Sequence, residues 1–123
     1  MNSVALVGRL VRTPELRNTN SGIAYSFFRI AVDSPHKDEA GNSRADFIDC
    51  VAWRGLATTL CKYKQKGDMI AVAGRLESKN YVNKNNEQVY TMEVYANDIQ
   101  FLDFRQTREP DVSPYDFMED DNA

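Results

Sequence analysis

The chain has 123 residues, 42% of them hydrophobic and 27% charged, with a net charge of −3. That length and apolar content suit one globular domain and exclude a wholly disordered chain. The lack of any run of about 18 apolar residues excludes a membrane-spanning helix.

The two cysteines, Cys50 and Cys61, and the single histidine, His36, fit no zinc or redox spacing. No metal, cofactor or catalytic residue is expected from them, and two small buried thiols suit a reducing, cytoplasmic compartment. The first residues, Met-Asn-Ser-Val-Ala-Leu-Val-Gly-Arg, place no charged segment before an apolar one, so no secretory signal is expected there. The charge is unevenly spread. Residues 109–123 hold six acids and no Lys or Arg, whereas residues 1–108 hold all 15 basic residues against 12 acids. A mildly basic body with an acidic tail suggests two jobs in two places.

Residues 2–12 read as a strand with Val4, Leu6 and Leu10 on one parity, broken by Thr13-Pro14. Asn18-Thr-Asn-Ser-Gly22 is a turn cluster. Residues 23–33 form a second strand, in which Arg29 shares its parity with Phe27, opposite to core-facing Phe28. Residues 34–45 are a polar loop or hairpin tip. The third strand, residues 46–53, is the most informative segment: Asp46-Phe-Ile-Asp-Cys-Val-Ala-Trp53, followed by Arg54. Side chains on a strand alternate faces. Ile48, Cys50 and Ala52 therefore form one compact apolar face, and Phe47, Asp49, Val51 and Trp53 form the other.

Residues 55–64 read as the only helix, with Leu56, Leu60 and Tyr63 on one face and Gly67 as its stop. Residues 69–77 form the fourth strand, with Ile70, Val72 and Leu76 facing one way. Gly74 within it predicts a bulge or sharp bend, as Gly8 does in the first strand. Lys84-Asn-Asn-Glu87 is a hairpin turn, and Val89 to about Leu102 is a long last strand. Three strands, one helix and two strands predict an all-β, five-stranded OB-fold Greek-key barrel with its helix between strands 3 and 4. The domain spans 1–104, and the Pro-containing acidic segment 105–123 reads as a short disordered tail.

Phe47, Trp53 and Tyr81 stand out as rings beside cations, with Tyr90 across the same hairpin from Tyr81. Arg9, Arg12, Arg29, Arg54, Arg75 and Lys79 are the candidate phosphate contacts. Exposed rings among cations suit a flat, anionic ligand such as single-stranded nucleic acid. The paired carboxylates Asp46 and Asp49 are three apart on a strand and point to opposite faces, a poor shared metal site for a nuclease. An OB-fold accessory factor of the primosome type, binding both DNA and a protein, is the alternative.

Several segments in order resemble the bacterial-type single-stranded DNA-binding proteins. They are Asn2-Ser-Val-Ala-Leu-Val-Gly-Arg-Leu, Thr13-Pro-Glu-Leu-Arg17, Phe28-Arg-Ile-Ala-Val32, Ala45 to Arg54, Lys66-Gly67, Gly74-Arg-Leu76 and Thr91-Met-Glu-Val94. The resemblance implies a non-enzymatic protein that coats and protects single-stranded DNA in replication, recombination or repair. It implies stacking positions at Phe47, Trp53 and Tyr81; a fourth, found in some members, would fall near Pro35. It also implies a homotetramer pairing partly through the first strand, and a cytoplasmic, nucleoid-associated location. The stretch Tyr115-Asp-Phe-Met-Glu-Asp-Asp121 resembles the family's acidic tip for replication and repair partners, with Phe117, Glu119, Asp120 and Asp121 as its contact residues. The family's closing Pro-Phe does not follow it, and the linker is shorter than usual.

Overall fold

The structure, a computed structural model, describes residues 1–102, and the acidic segment expected as a tail lies outside the described residues. Its elements are β1 (Val4–Leu10), β2 (Arg17–Asn18), β3 (Ala24–Asp33), β4 (Ala45–Trp53), α1 (Arg54–Tyr63), β5 (Met69–Val82) and β6 (Gln88–Phe101). The strands run in the order β1-β5-β6-β4-β3-β2, and β1 returns to pair with β3. That extra pairing closes the sheet into the expected OB-fold barrel, to which the two-residue β2 adds a short flap not foreseen from the sequence. The β4–β6 pair is parallel. The long β5–β6 pair is antiparallel.

Strand alternation sorts the core. Leu10, Phe28, Ile30, Cys50, Ala52, Ile70, Val72, Val94 and Ala96 face inward, joined by Ala57 and Leu60 from α1. Each large side chain buried this way contributes roughly 1.5–3 kcal/mol. Two glycines let the barrel bend, as their positions within strands predict. A Cβ on Gly8 would sit 2.6 Å from the Ala31 carbonyl oxygen, where β1 crosses onto β3, and one on Gly74 would collide with the Tyr95 carbonyl oxygen. At that point the register slips: Ala73 faces Asp98, whereas Gly74 faces Ala96. Asn97 is the extra residue. It switches the inward positions of β6 from Val94 and Ala96 to Ile99 and Phe101, which pack on the same core.

The structure corrects three local expectations. First, β5 does not stop near residue 77. Residues 78–82, which open on Ser-Lys-Asn, continue as strand because each finds a ladder partner in β6, as far as Val82 opposite Gln88. The hairpin tip is locked by Asn83, whose Oδ1 accepts hydrogen bonds from the backbone N–H groups of Asn85 and Glu87 at 2.9 Å each. Second, Tyr63 is not on the inward face of α1. Ala57 and Leu60 are buried there, and Tyr63 is exposed with the Lys62 ammonium 5.4 Å from its ring centroid. Third, the helix ends on an extended Lys64. Gly67, with φ near 91°, belongs instead to the following turn, where the Asp68 N–H bonds the Gln65 carbonyl.

Candidate nucleic-acid interface

Register places the outward side chains in rows across the sheet. Tyr25 lies opposite Trp53, Phe27 opposite Val51, Arg29 opposite Asp49, and Ala31 opposite Phe47. The parallel register Cys50 to Val94 and Val51 to Tyr95 carries these rows onto β6. From there Tyr95 lies opposite Arg75, Glu93 opposite Glu77, Thr91 opposite Lys79, and Val89 opposite Tyr81. One face of β3, β4, β6 and the outer half of β5 thus collects all three principal rings expected from the sequence.

The rings differ in freedom. Phe47 and Tyr81 are 61% and 53% exposed. Trp53 is half-buried, because Tyr25 lies against it with centroids 5.1 Å apart and planes at 31°. Phe27 stands edge-on to Tyr25 at 5.4 Å. Phe47 and Trp53, six residues apart on one strand, are separated by roughly 20 Å. That distance leaves room for several bases between them.

Tyr90 does not join this set. It lies opposite Asn80, one step out of phase with Tyr81, and projects from the reverse face of the β5–β6 ribbon. The hairpin brings the two tyrosines onto neighbouring rungs of one ladder, but antiparallel alternation separates their faces. Sequence reasoning missed Tyr25 and Tyr95 and left Phe27 as no more than a parity partner of Arg29. For Tyr25 and Phe27 that parity was the available signal. Tyr95 was hidden by the phase change at Asn97.

The cations are placed with more constraint than the sequence suggested. Arg12 lines an open groove of about 410 Å³ together with Thr13, Glu15, Arg17, Phe27, Arg29, Asp49 and Glu93. Arg29 donates from Nε to Asp49 Oδ1 at 2.7 Å and from Nη2 to Asp49 Oδ2 at 3.4 Å, a fork that holds the guanidinium firmly protonated. Lys79 Nζ lies 3.5 Å from Glu93 Oε1. Arg75 donates to Glu77 Oε2 at 2.9 Å and lies 4.3 Å over the Tyr95 ring. Arg9 is aligned with Ala31, at the end of the Phe47 row, and donates to the Gly67 carbonyl at 3.0 Å. Arg54 opens α1 with φ near 59°. That left-handed turn costs about 1–3 kcal/mol and swings the chain away immediately after Trp53.

The floor beneath the groove is chemically quiet. Burial, with smaller contributions from Asp49 and Glu93, pushes the Cys50 thiol up to about 12. It therefore stays protonated at neutral pH. Among the described residues, no group of three or more His, Cys, Asp or Glu side chains could hold a metal ion. Asp46 is paired with Arg44 at 3.1 Å, on the face opposite Asp49. No helix of the described residues is long and apolar enough to cross a membrane. The tail residues Phe117, Glu119, Asp120 and Asp121 lie outside the described residues.

A second surface lies on β1 and the first half of β5. Ala5, Val7, Ala71 and Ala73, with Asp98 and Gln100 at the margin, line a shallow apolar hollow of about 170 Å³. The edge of β1 over residues 4–8 that faces away from β5 has no strand partner among the described residues.

Residues 1–102 match the model of the single-strand binding protein family. The chain is 46% identical over 103 residues to a single-stranded DNA-binding protein of Oceanobacillus iheyensis, covering 84% of this chain and 64% of that one. It is 42% identical over 106 residues to single-stranded DNA-binding protein 3 of Listeria innocua, covering 86% and 66%. It is 43% identical over 109 residues to a single-stranded DNA-binding protein of Streptococcus pyogenes, covering 89% and 67%. The chain spans about two thirds of the length of these curated relatives.

Proposed function

The chain belongs to the single-strand binding protein family, and from that premise we propose that it binds single-stranded DNA with little sequence preference and carries out no chemistry on it. The observation that carries this reading is the single outward face holding Phe47, Trp53 and Tyr81, with Arg12 in the adjoining groove. Bases stack on the rings, a contact worth roughly 1–3 kcal/mol per base whichever base it is. Arg9, Arg12, Arg29, Arg54, Arg75 and Lys79 hold the phosphates. The OB barrel of residues 1–104 is the binding unit, and its role is to cover strands exposed in replication, recombination or repair.

Assembly into a homotetramer accompanies this role. The apolar hollow beside β1 supports it, as does the unpartnered β1 edge, since exposed strand edges recruit further strands. Protein partners in replication and repair are assigned to the acidic segment with Phe117. The cellular location is that of the DNA, the cytoplasmic nucleoid.

The test uses Trp53, the chain's single tryptophan, as its own reporter. Titration with oligo-dT should quench its fluorescence and saturate at many nucleotides per subunit. Repeated at a second salt concentration, the affinity should fall with a slope near −0.7 per phosphate contacted. A flat titration, or an affinity indifferent to salt, ends this reading.

A further inference from the structure

The middle row of the ring face is acidic. Asp49, Glu93 and Glu77 stand side by side on β4, β6 and β5, between the row of Phe27 and Tyr95 and the rows of Phe47 and Tyr81. Each acid holds one of the cations expected to bind phosphate: Arg29 at 2.7 Å, Lys79 at 3.5 Å and Arg75 at 2.9 Å. On the groove's rim, Arg17 is likewise held by Glu15 at 3.0 Å. Arg12 and Arg54 have no carboxylate partner among the described residues. A surface meant only to attract phosphate would not be built this way.

Resting on the reading of this face as a single-strand site, we infer that the row Asp49–Glu93–Glu77 is its specificity element: it makes the groove select exposed bases and reject phosphate charge presented alone. A phosphate that docks on Arg29, Lys79 or Arg75 must either break an existing pair or approach a carboxylate, so charge attraction alone gains little. Phe47 and Tyr81, on the rows to one side, stand exposed with no such competitor, and only a strand with unstacked bases stacks on them. Specificity is a difference of affinities, and a repulsive element against the wrong ligand creates it as well as an attractive one for the right ligand. Duplex DNA and other polyanions, which offer phosphate but no free base faces, are the ligands this row disfavours.

The test neutralises the acids without changing their shape. Asp49→Asn and Glu77→Gln, singly and together in the full chain, replace side chains that are 50% and 31% exposed. Thermal melts confirm that each variant folds. Binding is then measured to oligo-dT, to an abasic oligodeoxynucleotide of equal length and to duplex DNA. Affinity for the abasic strand and the duplex should rise roughly three- to tenfold per neutralised acid. Oligo-dT should gain less, so that the ratio between them narrows, and the salt slope for the abasic strand should steepen by about 0.7 per released cation. An unchanged ratio, or a loss of affinity for every ligand because Asp49 only aims Arg29 at phosphate, overturns the inference. A wild-type chain with no preference for oligo-dT over the abasic strand overturns the single-strand reading itself. A wild type with that preference, whose variants keep the same ratio, overturns only the role of the acid row.

Discussion

Strand β5 carries two chemistries on one side. Before the irregularity at Ala73 and Gly74 its outward residues are Ala71 and Ala73, beside Ala5 and Val7 of β1. After it they are Arg75, Glu77, Lys79 and Tyr81, beside Tyr95, Glu93, Thr91 and Val89 of β6. The parity is the same throughout, so alternation cannot explain the change. Its neighbours can: the first half lies between β1 and the end of β6, where small side chains leave a shallow hollow, and the second half runs on into a two-stranded ribbon. The glycine and the extra Asn97 mark the boundary, because bulges bend a strand and re-aim the side chains beyond them. One strand therefore supplies both the apolar hollow proposed to meet a second copy of the chain and part of the ring face proposed to meet DNA.

The boundary itself is where this contrast is most easily broken. Gly74→Ala drives a methyl group into the Tyr95 carbonyl and should cost about 3 kcal/mol of stability by thermal or urea melting. Both surfaces should be lost together. An alanine variant of normal stability would show that the bend does not need the glycine.

Val7→Asp then addresses the hollow alone. A charge placed between copies should shift the chain toward monomer in light scattering, leaving the oligo-dT affinity per subunit in place. An unchanged mass removes this face from the assembly.

On the ring face, Phe47→Ala should weaken oligo-dT binding by about 1–3 kcal/mol with little change in melting temperature, because the ring is largely exposed. Tyr90→Ala, on the reverse of the ribbon, should cost less than half of that. Equal losses would mean that the strand contacts both faces.

The smallest effect concerns the floor beneath the groove. The Cys50 pKa is raised on folding from 9.0 to about 12. The folded state therefore favours the protonated thiol, and this contribution is fully present below pH 9 and is lost as pH rises toward about 12. Melts across that window should fall less steeply for Cys50→Ala than for the wild type. Identical slopes would show that the thiol is not linked to folding.

Much of this molecule was legible in the chain. Period-two alternation in Asp46 to Trp53 separated Ile48, Cys50 and Ala52 from Phe47 and Trp53. Two strand glycines marked the bends, and the strand–helix order indicated the barrel. Local pattern was less informative where partners decide the outcome. Ser78-Lys79-Asn80 is too polar to read as strand until β6 supplies its ladder. Tyr63 fits a helical stripe, but the short α1 buries Ala57 and Leu60 instead. Tyr90 looked like a neighbour of Tyr81 because proximity in a hairpin does not fix a face; only register does.

The order of amino acids set which residues could form strands, which of their faces were apolar, and that rings and cations were plentiful on the remaining faces. These are local properties, set by side-chain alternation along a single strand. Which outward faces adjoin was settled by the pairing of the folded strands. It put Tyr25 against Trp53, turned Tyr90 away, and aligned Asp49 of β4 with Glu93 and Glu77 of the β5–β6 hairpin. The physical reason is that cross-strand register and barrel closure are pairwise and long-range, so they appear only when every strand has found its partner.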